Sequence, residues 1–121
     1  MSKRTEVTIH RGSLFAAGPP AKGERSDTLF EGRAVRIEEI SSSSTPAPVV
    51  YNQDHPEWVV LLKGEAQLRM NDETVVLKAG EWLFIPARVP HQVLSTATGS
   101  VWLAVHLPVD EIPAKRDENG V

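Results

Sequence analysis

The chain of 121 residues contains no cysteine. That absence excludes disulfides, thiolate metal sites and a cysteine nucleophile, and it leaves any metal to imidazole, carboxylate or amide donors. Aromatic residues are few, three Trp, three Phe and one Tyr, so Tyr51 is the one phenol available for acid chemistry. Long apolar runs are missing too. No segment could span a bilayer, and the N-terminal Met1-Ser2-Lys3-Arg4-Thr5-Glu6 leads into Val7-Thr8-Ile9-His10-Arg11, which lacks the core of a signal peptide. Nor does charge of one sign dominate: the net charge of −3 is spread along the chain, with no basic stripe to neutralise phosphates. Nucleic acid and membrane are therefore not expected partners. A small-molecule ligand or another protein surface is, in a cytoplasmic protein of one domain.

What is present are short runs divided by turn residues. Gly12 to Asp27 holds too many Gly and Pro for a regular element and reads as an arm packed over the domain. Thr28 to Gly32 and Arg33 to Ile40 read as strands, the second alternating Val35 and Ile37 with Arg36 and Glu38, so that one face is wet. Ser41 to Pro48 is a low-complexity loop. Trp58-Val59-Val60-Leu61-Leu62 is a strand-length apolar run that suggests burial on both faces. Lys63-Gly64-Glu65, Asn71-Asp72 and Lys78-Ala79-Gly80-Glu81 are turns, and Ala66 to Met70, Thr74 to Leu77, Trp82 to Ile85, His91 to Ala97 and Val101 to Leu107 are the strands they separate. Eight or more short strands without a helical period predict an all-β jelly roll or closed barrel. The arm is expected over residues 1–27, the barrel over 28–108 and a mobile tail over 109–121.

Two spaced motifs lie within this frame. Gly80, Pro86, Arg88, His91 and Ser95 keep the intervals Gly, five residues, Pro, one, Gly, two, His, three, Asn, with Arg for the second Gly and Ser for the final Asn. Glu57 and Gly64 keep the interval of a Glu, six residues, Gly motif. Together they resemble the cupins over roughly Arg33 to Leu107, and the resemblance implies the cupin jelly-roll barrel. The first cupin motif begins His-x-His. Here the counterparts are Tyr51 and Gln53 on the shorter spacing, or Val50 and Asn52 on the longer one.

The resemblance implies a divalent metal ion, iron, manganese, nickel or zinc, held inside the barrel. It carries Glu57 and His91 over as ligands. A third donor could be His55, if the Asp54-His55-Pro56 turn folds inward, or Gln53, whose amide oxygen donates more weakly and favours a harder ion. His106 is a further candidate, sharing a strand face with Trp102 and Ala104. Each has a plainer reading: a hydrogen-bonded strand histidine, a solvated loop residue, an exposed carboxylate at a strand start. His10 reads as surface.

Three functions are compatible with these residues. The first is a metal-dependent dioxygenase or isomerase acting on a small oxygenated or sugar-like molecule. A second is a metal-free epimerase with Tyr51 as acid and His91 or His106 as base. The third is a non-catalytic binding module, which the altered first motif would suit. Arg88, at a glycine position, requires a local change of the turn and could clamp an anion at the barrel mouth. Trp58, Trp82 and Trp102 read as core or interface aromatics, and the apolar run beside them suggests a homodimer.

Overall fold

The computed structural model describes residues 7–114, so the expected tail falls partly outside them. Eight strands follow one another, β1 (Glu24–Glu31), β2 (Arg36–Ser42), β3 (Glu57–Lys63), β4 (Glu65–Met70), β5 (Glu73–Lys78), β6 (Trp82–Ile85), β7 (His91–Thr96) and β8 (Ser100–His106). They form two antiparallel sheets, one of five strands in the order β1-β2-β8-β3-β6 and one of three in the order β5-β4-β7. No helix interrupts them, and the all-β jelly-roll architecture read from the sequence is the one observed. No helix among the described residues is long and apolar enough to cross a membrane.

The core lies between the sheets: Val59, Leu61, Ala66, Leu68, Leu77, Ile85, Trp102 and Ala104. Period-2 alternation puts Glu57, Val59 and Leu61 of β3 inward and Trp58, Val60 and Leu62 outward. Leu61 is fully buried, and burial of a side chain of this size stabilises by about 1.5–3 kcal/mol. The outward set is only half-buried, so burial on both faces, expected from the unbroken apolar run, holds for one face alone. Across the outer face Trp58 stands opposite Phe84 and Val105, and Val60 opposite Trp82 and Leu103. Trp82 remains 57% exposed there.

Three local expectations change. Strand β1 begins at Glu24, inside the segment expected to be irregular, because Glu24 to Asp27 pair with Ser42 to Glu39 of β2. Partner strands override weak local propensity. Ser41 and Ser42, expected in a loop, end β2 and are buried with Ser43. And the wet face of β2 does not look outward: Arg36, Glu38 and Ile40 line an internal cavity.

Two turns fix the strands that carry the site. Gly64 has φ +96°, and a Cβ there would lie 2.1 Å from Ser100 Oγ and 2.9 Å from Ser100 Cα, so both conformation and space demand glycine. Arg88 stands at φ +68°. The turn thus keeps the left-handed conformation of the glycine it replaces instead of changing locally, at a cost of about 1–2 kcal/mol for an L-residue. Its amide donates to Gln53 O at 2.7 Å, tying the β6–β7 turn to the loop before β3.

Candidate functional site

A cavity of about 210 Å³ opens between the sheets, lined among others by Tyr51, Gln53, Glu57 and His91. These are the first-motif positions on the shorter spacing together with the two motif residues. Tyr51 arrives through a single β-bridge to His91: Tyr51 N donates to His91 O at 2.7 Å and His91 N to Tyr51 O at 2.9 Å. Their rings stack with centroids 5.7 Å apart and planes at 27°. His91 Nδ1 is 2.9 Å from Val89 O, which makes Nδ1 the protonated nitrogen and leaves Nε2 with its lone pair.

His55 does not join them. Its Nδ1 is 3.0 Å from Asp54 Oδ1 and its Nε2 3.0 Å from His106 Nδ1. His106 does face the cavity, with Trp102, which settles the inward face of β8. Its Nε2 lies 2.7 Å from Glu38 Oε1, so both ring nitrogens are occupied and neither is left for a metal or substrate. Glu38 Oε1 also receives Arg36 Nε and Nη2, each at 2.9 Å.

The cavity carries three carboxylates, Glu24, Glu38 and Glu57, against one guanidinium already bound to Glu38. Burial raises Glu57 to about 7; Glu38 pushes the same way, while His55 and a hydrogen bond from Gln53 pull it down. Burial also raises Glu24, against a hydrogen bond from Ser42. The Tyr51 phenol is raised by burial and then by Glu24 and Glu57. His106 is lowered chiefly by burial, with Glu38 opposing.

Among the described residues no three His, Cys, Asp or Glu side chains are grouped to hold a metal ion. Gln53 brings an oxygen of another kind to the cavity that Glu57 and His91 line. Its Oε1 is buried without a hydrogen-bond partner, a state that costs about 1–3 kcal/mol and that a cation beside it would relieve. One imidazole, one carboxylate and one amide oxygen suit a borderline or hard divalent ion.

Sequence reasoning missed Glu24, Arg36 and Glu38 as cavity residues. Charged alternation on β2 signals a polar cavity as readily as a wet surface, and it could have found the last two. For Glu24 no local signal exists.

The sequence profile of the cupin domain matches residues 37–106, and the chain belongs to that family. It is 32% identical to a candidate mannose-6-phosphate isomerase from Ralstonia eutropha JMP134, whose structure superposes with a TM-score of 0.74 over 83% of this chain and 99% of that one. An uncharacterized protein of Aquifex aeolicus (strain VF5) is 36% identical over 95 residues, 70% of this chain and 76% of its own length. The 3-hydroxyanthranilate 3,4-dioxygenase of Xanthomonas euvesicatoria pv. vesicatoria (strain 85-10) is 35% identical over 72 residues, 55% of this chain. The match spans only 39% of that dioxygenase.

Proposed function

We propose that this cupin holds a divalent metal ion on Glu57, His91 and Gln53 and acts as an enzyme of dioxygenase or isomerase type on a small oxygenated or sugar-like molecule. The observation that carries the reading is the convergence of the spaced motif residues on one internal cavity, whose lining includes a desolvated carboxyl group, a residue with an unpartnered amide oxygen and an imidazole held by its Nδ1. A bound divalent ion would supply Lewis acidity toward a carbonyl or hydroxyl oxygen. The chain's own residues do the rest. His91 is held in one tautomer by Val89 O, the Gln53 amide steadies the Glu57 carboxylate, and the apolar wall of Val59, Leu68, Ile85 and Trp102 limits water. The names of an isomerase and a dioxygenase among the relatives support the reaction classes. Element-resolved metal analysis of untagged protein, loaded in turn with iron, manganese, nickel and zinc, tests the site. One metal per chain, lost in His91→Ala and Glu57→Gln, is expected, and substoichiometric metal under every loading ends the reading.

The stacking of Tyr51 on His91 favours a second reading, a metal-free proton transfer with Tyr51 as acid and His91 Nε2 as base. His106 is excluded from that role by its two occupied nitrogens. Turnover by chelated protein that Tyr51→Phe abolishes would favour this reading, and turnover kept by that variant would end it. The half-buried outer face around Trp58 and Trp82 supports a homodimer.

A further inference from the structure

We propose that the cavity selects a ligand rich in hydrogen-bond donors and free of anionic groups, an amino sugar or neutral polyol, and that Glu24 is the residue that receives it. This rests on the inter-sheet cavity being the binding site; it does not require the metal.

Glu24 is a positioned group. Its Oε2 accepts from Ser42 Oγ at 2.8 Å, and Ser42 Oγ accepts in turn from Trp102 Nε1 at 3.0 Å. An indole N–H can only donate, so the serine hydroxyl is committed to donating onward. Ser42 is fully buried and Trp102 is 3% exposed. The sequence Trp102 to Ser42 to Glu24 therefore fixes the carboxylate as an acceptor on the cavity wall and leaves Oε1 for a ligand.

The other lining groups sharpen the selection. Glu57 is a second carboxyl group on the wall, and Gln53 Oε1 is an acceptor without a donor. On the donor side, Arg36 turns Nε and Nη2 to Glu38, His106 has both nitrogens occupied, and His91 Nδ1 is turned to Val89. The hydroxyls of Tyr51 and Ser26, each able to donate and to accept, are uncommitted. A phosphate or carboxylate would bring more negative charge into a cavity that already holds three carboxyl groups against one guanidinium, which is costly for buried groups. Hydroxyls and an ammonium bring the missing protons, and a charged hydrogen bond to a desolvated carboxylate is the stronger kind. A divalent ion on Glu57, His91 and Gln53 would leave Glu24 outside the donor set but would itself attract an anion, so the exclusion of anions belongs to the metal-free cavity. The volume, about 210 Å³, is enough for a compact molecule. This sets the chain apart from the relative named for a sugar phosphate.

Calorimetric titration of wild-type protein with D-mannosamine, D-mannose and mannose 6-phosphate, chelated and metal-loaded, tests the proposal. In chelated protein mannosamine is expected to bind most tightly, mannose next and the phosphate ester not at all. Glu24→Gln should weaken mannosamine about tenfold or more while keeping its metal content, and Glu24→Asp, which retains the charge, should recover part of the loss; unchanged melting temperatures show that both variants fold. In that chelated protein, mannose 6-phosphate binding as tightly as mannosamine, no binding by any of the three, or affinity indifferent to Glu24→Gln would overturn it. Failure of the metal reading looks different: no metal uptake by wild type, with mannosamine binding intact in chelated protein.

Discussion

Replacing Glu57 by Gln gives the metal-free protein a pH dependence of known sign. The folded Glu57 carboxyl sits at about 7 against 4.5 for an ordinary glutamate. Because the folded value is the higher one, the folded state keeps a proton that the unfolded chain has already released, and stability falls as pH rises between the two values. The gap corresponds to about 3 kcal/mol at ~1.4 kcal/mol per pH unit. Glu57→Gln buries no charge, so it should match wild type near pH 5 and exceed it at pH 8 by that order, about 10 °C in Tm for a domain of this size. Thermal melts of chelated protein across pH 5 to 8 measure the difference. Glu24, also raised, and His106, lowered and so destabilising as pH falls, are common to both proteins and cancel in the subtraction. A difference that stays flat across this range would refute the reasoning. Saturating metal should reverse the order, since wild type alone then has the full donor set.

Gly64→Ala should be severely destabilising, about 3 kcal/mol or more by chemical denaturation, because the new methyl meets Ser100 backbone and side chain at a positive φ. Arg88→Gly should raise stability by about 1 kcal/mol on the same denaturation assay, through relief of the left-handed conformation less the entropy glycine adds to the unfolded chain. Light scattering at micromolar concentration should show a homodimer that Trp82→Glu converts to monomer, and a wild-type monomer would exclude the outer face as an interface. Ser42→Ala should lower Tm, since it leaves Trp102 Nε1 without an acceptor and Glu24 without its donor.

The strands were legible because glycine, proline and Asn-Asp turns divide runs of period two, and the pairing of Glu57 and His91 in one cavity was legible because the motif intervals are rigid. Facing was not. Alternation on β8 and β2 is symmetric between inside and outside until partner strands are known, so the inward set of Trp102 and His106 and the cavity role of Arg36 and Glu38 came only with the sheet register. Glu24 was hidden for a different reason: it lies in a Gly- and Pro-rich stretch whose strand exists only because β2 is there to pair with. His55 sits between two cavity residues in sequence, and the loop turns it toward a histidine 51 positions away.

The contacts from Asp54 through His55 and His106 to Glu38 impose a count of hydrogens. Three contacts join two imidazoles and two carboxylates, and ionised carboxylates only accept. Completing all three takes three ring protons, one more than two neutral imidazoles carry, so the pair is either singly charged and fully bonded or neutral with one contact lacking its hydrogen. Asp54 is two-thirds exposed, with a side chain 66% accessible, whereas Glu38 is at 11%. The solvent end and the cavity end of this row are therefore joined by an unbroken line of contacts, and where the hydrogen is lacking at one of them is set by the tautomers of both rings together.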